Sequence, residues 1–150
     1  MTSLYHLFPS TIHPMVVHFT IAVNYLCTLG GLVGLIWRKD HFWGKLFFLL
    51  LALGILSTIA AGAAGVISES YISTRPSGIE PVFHDHKTYA MLTGLFQVIA
   101  IAVQSFSWWR TRSMRVSFWA FLLSIASTVC VSMAGHLGGT MVYQYGFGVH

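Results

Sequence analysis

Five of the chain's eight histidines lie beside the ends of long apolar runs. They are far apart in sequence, yet a chain that crosses a bilayer four times would bring all five to the same face. A ring of imidazoles at the end of a helix bundle can ligate a metal or haem, or relay protons. The five residues of this rim are His13, His18, His84, His86 and His136.

The composition is typical of an integral membrane protein. Of the 150 residues, 55% are hydrophobic and only 8% are charged, whereas a soluble domain carries about 25% charged residues. The mean hydropathy of +0.71 indicates the same class. The net charge of +4 does not indicate nucleic-acid binding, because the basic residues cluster at the ends of the apolar runs, where they set membrane topology.

Four apolar runs are each close to the ~20 residues that span a hydrocarbon core. In lipid the backbone must satisfy its own hydrogen bonds, so each run is predicted to be helical. We therefore predict one domain over residues 1–150, an all-α integral membrane four-helix bundle with up-down-up-down topology. No internal repeat is evident. The predicted helices are 14–37, 46–67, 88–109 and 116–137.

The basic residues predict the orientation. Six of the eight Lys and Arg residues lie in or beside the two short connections, which the positive-inside rule assigns to the cytoplasm. Both termini and the long middle connection then face the periplasm. The first eleven residues contain no Lys or Arg, so we expect no cleavable signal peptide. We expect a multi-pass protein of the bacterial cytoplasmic membrane.

Three histidines are the main ligand candidates, because His18, His86 and His136 lie on three helices at comparable depth. His13 and His18 are five residues apart and so point about 140° away from each other. One helix cannot easily aim both at the same metal, and we favour His18 because it lies within the helix, with His13 as a reserve or second-site ligand. His86 is the first choice overall, since it shares a helix face with the polar Gln97.

Haem b is the preferred cofactor, because two neutral imidazoles from facing helices can hold iron axially in a four-helix bundle. A zinc or copper site is the next option, and three histidines with an open position would suit it. A proton or quinone role and a purely structural hydrogen-bonded cluster remain as alternatives. Covalent c-type haem is excluded because no Cys-x-x-Cys-His sequence occurs. No catalytic triad, phosphate-binding glycine loop or pair of catalytic carboxylates is evident.

Small and polar residues inside the runs should hold the bundle together. The segment 61–65, Ala-Gly-Ala-Ala-Gly, provides either close helix contact or room for a flat macrocycle or a quinone ring. Asn24, Gln97 and Gln104 should point inward and form hydrogen bonds across helices, since lipid offers them no partners.

Two motifs resemble the start and the end of a bacterial family of four-helix membrane proteins classed as a domain of unknown function. They are HPMVVHFTIA from His13 and GHLGGTMVYQYGFGV from Gly135. The stretch HKTYA from His86 is similar to a histidine-led stretch of the same family. The resemblance covers essentially the whole chain. It departs at Thr20, where the family often has proline, and at Thr140, where many members have an acidic residue.

The resemblance implies a four-helix membrane protein with no settled activity. Some similar proteins carry a fused cytochrome c domain, which implies electron transfer. We therefore interpret the chain as a membrane b-type cytochrome-like subunit that passes electrons near the periplasmic face, between quinol and a periplasmic cytochrome or other carrier, within a larger redox complex. The rival interpretations are a cofactor-free accessory subunit of a respiratory or photosynthetic assembly, and a zinc- or copper-binding membrane protein.

Overall fold

A computed structural model describes residues 12–72 and 75–147 and contains four helices. They are α1 (Ile12–Ile36), α2 (His41–Glu69), α3 (Glu80–Thr111) and α4 (Phe118–Tyr145). Each helix is long and apolar enough to cross a membrane, and the described residues contain no strand. The predicted all-α membrane architecture is confirmed. The first eleven residues, on which the expectation about a signal peptide rests, lie outside the described ranges.

Three helices extend by five residues or more beyond the predicted spans. The second begins at His41, the third begins at Glu80, and the fourth continues to Tyr145. The prediction followed hydrophobicity, whereas the helices continue with polar residues past the apolar runs. Pro81, which the predicted spans leave in the connection before the third helix, lies instead in the first turn of α3. A proline suits this position, where its missing N–H has no intrahelical acceptor.

The two ends of the bundle differ in chemistry. At one end, which we call the basic end, lie the α1–α2 and α3–α4 connections. At the other, the histidine end, α1 and α3 begin and α2 and α4 finish. The basic residues in or next to the two connections of the basic end are Arg38, Lys39, Lys45, Arg110, Arg112 and Arg115.

The helices pack as two hairpins. The most extensive contacts join α1 to α2 and α3 to α4, and smaller contacts between α1 and α4 and between α2 and α3 complete the ring. An apolar cluster that includes Phe47, Leu51 and Phe121 fills the half of the bundle near the basic end. There Gly44 packs against the α3–α4 connection so closely that a Cβ atom would lie 1.9 Å from the Met114 carbonyl oxygen.

The second hairpin corresponds to the first at a set of polar and small positions, although no repeat was evident in the sequence. A shift of 73 residues aligns these positions. The matched pairs include His13 with His86, Thr20 with Thr93, Asn24 with Gln97, Ala61 with Ala134, and Gly65 with Gly138. Most of the other residues of the two hairpins differ, so the correspondence rests on these positions.

Burial and contacts follow the same shift. Thr20, Asn24 and Cys27 are buried in α1, and their counterparts Thr93, Gln97 and Ala100 are buried in α3. Gln97 also donates a hydrogen bond to Asn24, so two equivalent residues contact each other. In an arrangement with two-fold symmetry, equivalent residues contact each other at the axis, and the two hairpins pack in matching pairs of helices. The bundle thus has a pseudo-two-fold axis that runs between α1 and α3.

Candidate functional site

His13 and His86 meet at the histidine end. Their ring centroids are 6.0 Å apart and their ring planes are inclined by 81°. His13 lies in the first turn of α1 and His86 in the second turn of α3, and both are half-buried. Because the two residues are equivalent in the repeat, the pair lies on the pseudo-two-fold axis.

Each imidazole is oriented by a backbone carbonyl of its partner helix. His13 Nδ1–H donates to the Ala61 carbonyl oxygen over 3.0 Å, and His86 Nδ1–H donates to the Ala134 carbonyl oxygen over 2.8 Å. A carbonyl can only accept, so the proton of each neutral ring resides on Nδ1. The two Nε2 atoms keep their lone pairs and are the free ligand atoms of the site.

Two glycines give the rings their space. Gly65 follows Ala61 by one helical turn, and a Cβ atom on it would lie 3.3 Å from the His13 ring. Gly138 occupies the equivalent position after Ala134, 3.5 Å from His86 Cε1 by the same measure. Each hairpin therefore has the same arrangement. An alanine carbonyl accepts a hydrogen bond from an imidazole, and a glycine one turn later leaves space for the ring.

His18 lies outside the contact between His13 and His86. Its side chain is exposed, and Nδ1–H donates to the Pro14 carbonyl oxygen of its own helix over 2.6 Å. Its counterpart in the repeat is Met91, so the symmetry does not extend to this imidazole. The ligand role of His18 stays a prediction, while the geometry favours His13 on the same helix.

His136 is exposed on α4, two residues beyond the alanine whose carbonyl binds His86. It lines an open notch with Gly139, Thr140, Tyr143 and Gln144. Its counterpart in α2 is Ala63. The structure therefore gives His136 a different environment from the imidazole pair.

The four ligand candidates do not form a compact metal centre. Within residues 12–72 and 75–147, no group of three or more His, Cys, Asp or Glu residues is arranged to hold a metal ion. The predicted set of His18, His86 and His136 is thus not assembled there. What the described chain brings together is a pair of imidazoles, His13 and His86.

A polar cluster lies deeper on the same axis. Gln97 Nε2 donates to Asn24 Oδ1 over 2.9 Å, and Ser127 Oγ donates to the same oxygen over 2.9 Å. Thr58 Oγ1 donates to Gln97 Oε1 over 3.0 Å. These four residues come from all four helices, so the prediction of inward polar groups that bond across helices is confirmed for Asn24 and Gln97. Gln104 is also buried, but it bonds to Arg115 and Ser117 of the α3–α4 connection. This network fixes the register of the helices that carry the imidazoles.

Next to His86, ion pairs and one aromatic ring connect the end of α2, the α2–α3 connection and the start of α3. Arg75 pairs with Glu69 and with Glu80, which raises the pKa of Arg75 chiefly through the Glu80 hydrogen bond. Lys87 Nζ lies 3.0 Å from Glu69. Arg75 and Lys87 each lie 4.3 Å from the centroid of the Phe83 ring. These contacts join the end of α2 to the turn of α3 that carries His86.

The sequence contains a signal for this pair. His13 and His86 each begin the pattern His-x6-Thr-x3-Asn/Gln, and Ala61 and Ala134 each begin Ala-Gly-x-x-Gly. A comparison of the chain with itself finds both patterns at the same shift. It also separates these two histidines from His18 and His136, whose counterparts are not histidines.

Comparisons with known proteins agree with the membrane architecture. The model of a family described as "Predicted membrane protein (DUF2231)" matches residues 9–150. No curated protein and no solved structure matches the chain.

Proposed function

Because the chain belongs to the DUF2231 family of membrane proteins, whose description names no activity, we propose a function from the site itself. The chain would act as a b-type cytochrome-like electron-transfer subunit in which His13 and His86 would hold one haem b. The observation that carries this proposal is the meeting of two equivalent imidazoles, each with Nδ1 bound to a backbone carbonyl.

The residues present fit the group. Bis-histidine iron needs two neutral imidazoles whose other ring nitrogen donates to an acceptor, and His13 and His86 meet both conditions. The ring centroids lie 6.0 Å apart, close enough for one ion with metal–nitrogen bonds of ~2.0 Å to be held by both imidazoles. Ala61, Gly65 and Gly138 limit side-chain bulk around the pair.

Haem iron would supply one-electron oxidation and reduction. The chain's own residues orient the ligands and hold their tautomer. The carbonyls of Ala61 and Ala134 would keep the Nδ1 protons in place, which leaves Nε2 as the nitrogen that could bind a metal. Partial burial of both residues limits water access, and the cluster of Asn24 and Gln97 keeps α1 and α3 in register below the site.

The proposed setting is the bacterial cytoplasmic membrane, with the histidine end toward the periplasm. Six basic residues at the opposite end support this orientation under the positive-inside rule. The subunit would then exchange electrons with membrane redox subunits or a periplasmic cytochrome. Reporter fusions after Asp40 and after Gly78 test the orientation. Cytoplasmic activity at Asp40 and periplasmic activity at Gly78 support it, and the reverse pattern contradicts it.

Visible absorption of the purified protein tests haem ligation. We expect a Soret band that shifts on reduction with dithionite, and its loss in His13→Ala and in His86→Ala. His18→Ala is the matched control, because it removes an exposed imidazole from the same end of α1, and it should retain the band. A full band in either of the first two variants would reject that histidine as a ligand.

Copper is the second candidate, favoured by the number of ligands. A zinc site of three or four protein ligands has no matching group in the described part of the chain, whereas imidazole also suits copper and Cu(I) accepts two such ligands. Metal analysis of the same purified sample distinguishes copper from haem and from a protein without a cofactor. Copper without a Soret band supports this candidate, and the absence of both supports a cofactor-free accessory subunit.

A further inference from the structure

The repeat provides an internal control for the surface of α4. The two helices occupy equivalent places in the two hairpins. A chemical difference between their exposed surfaces is therefore not required by the packing that the hairpins share. One such difference is concentrated beyond the imidazole pair, in residues 136–144. The residues of α4 and their α2 counterparts are His136 and Ala63, Gly139 and Val66, Thr140 and Ile67, Tyr143 and Ser70, and Gln144 and Tyr71.

On α4 these substitutions create an open notch. His136, Thr140, Tyr143 and Gln144 surround Gly139, and the notch has a volume of about 280 Å³. Among the residues that the structure describes, none has an atom within 4 Å of a Cβ atom placed on Gly139. At the equivalent position α2 carries Val66, which is 60% exposed. All five lining residues belong to α4, so the notch is an open depression on the surface of one helix.

The side chains that line the notch indicate which kind of molecule could bind there. The imidazole of His136, the hydroxyl of Tyr143 and the amide of Gln144 offer hydrogen bonds, and none of the lining residues is Lys or Arg. A phosphate group is recognised by Arg and Lys, so a phospholipid head group finds no matching charge. A neutral ring that carries carbonyl or hydroxyl oxygens finds donors and acceptors on several sides.

The surface of α4 below the notch is apolar and would suit the hydrocarbon tail of a bound molecule. On the membrane side of His136, the exposed residues of α4 are apolar, with Met133, Val129 and Ile125 at 38%, 57% and 37% exposure. The polar notch therefore continues into a lipid-facing apolar stripe on the same helix. An amphiphile with a small neutral head and a long hydrocarbon tail matches both parts.

We propose that the notch at His136 binds the head group of a membrane quinone, with the isoprenoid tail along the apolar stripe of α4. The notch begins two residues beyond Ala134, whose carbonyl orients His86, so it lies at the same end of the bundle as the imidazole pair but on the opposite, exposed side of α4. The binding itself does not require haem. Loss of quinone binding and loss of the Soret band are thus separate results.

Photolabelling of the full chain in phosphatidylcholine nanodiscs tests this site. The probe is an azidobenzoquinone with a decyl tail, and the labelled residues are mapped by mass spectrometry. We expect label within residues 136–144 that unlabelled decylubiquinone removes and added phosphatidylglycerol does not. Label spread evenly over the lipid-facing helices, or removal by phosphatidylglycerol, would overturn the proposal in favour of general lipid contact.

Two variants and one control sharpen the test. His136→Ala should weaken labelling about three- to tenfold, the effect of one lost hydrogen bond. Gly139→Val gives α4 the residue of α2 and should reduce labelling to the level of α2. His18→Ala, an exposed imidazole outside the notch, should leave labelling unchanged. Circular dichroism checks that the helices are retained, and unchanged labelling in both notch variants rejects the site.

Discussion

Gln97 Nε2 donates a 2.9 Å hydrogen bond to Asn24 Oδ1 across the bundle axis, and the two residues occupy equivalent positions in the two hairpins. The bond is thus formed between repeats at their symmetry axis. It joins α1 to α3, two helices that share little other contact surface. The imidazole pair repeats this relationship nearer the end of the bundle.

A double-mutant cycle on Asn24→Ala and Gln97→Ala should measure a favourable coupling. We expect about 0.6–1.7 kcal/mol, the range found for hydrogen bonds between membrane helices. The measurement is reversible unfolding in mixed micelles, with helical content as the signal. Additive effects of the two substitutions would show that the bond does not hold α1 to α3.

Gly65→Val should impair the proposed haem site, because a Cβ atom at position 65 would already lie 3.3 Å from the His13 ring. Displacement of a ligand's supporting contact costs roughly 10–100-fold in affinity, which haem titration of the apo-protein would measure. Gly62→Val is the matched control, since no described residue lies within 4 Å of a Cβ atom there. Equal affinities in the two variants would contradict the role given to Gly65.

Gly44→Ala should destabilise the whole bundle. The added Cβ would lie 1.9 Å from the Met114 carbonyl oxygen, a backbone atom that can move only with the α3–α4 connection. Overpacking of this kind costs about 1–3 kcal/mol, which appears as a lower Tm in detergent. Gly62→Ala gains the same helix propensity without the steric clash, so it should keep or raise Tm. A Gly44→Ala protein as stable as the wild type would show that the connection adapts without cost.

Phe83→Ala should loosen the connection before α3. The ring contacts Arg75 and Lys87 on its faces and packs with Ile79 and Met141. Without it we expect severalfold faster hydrogen–deuterium exchange in residues 75–79, with exchange at the basic end unchanged. Phe106→Ala, an exposed aromatic near the basic end, is the control. Equal exchange in residues 75–79 of both variants would refute this anchoring role.

Hydrophobicity alone was sufficient to predict the four helices, because each run must bury its backbone polar groups within lipid. It did not predict the helix ends, since α3 begins at Glu80 and α4 continues to Tyr145 with polar residues that hydropathy treats as loop. The rim of histidines also followed from topology. These parts of the fold could be predicted because they depend on the hydrophobicity and position of individual residues.

The pairing of His13 with His86 could not be predicted in this way, because it depends on contacts between residues that are distant in sequence. Reasoning from one helix favoured His18 because it lies deeper, but its Nδ1 bonds to its own helix at Pro14. His13 is instead held by the Ala61 carbonyl, 48 residues away in sequence. Only the internal repeat, which matches His13 to His86, carries this information in the sequence.

The correspondence between the hairpins also constrains how the chain is inserted. Each hairpin has two helices long enough to cross the membrane, so both enter in the same direction and present their basic connections at the same end. A substitution in one hairpin leaves its counterpart in the other unchanged. His136, whose counterpart is Ala63, is such an unmatched position, and it makes two otherwise equivalent faces of the bundle chemically distinct.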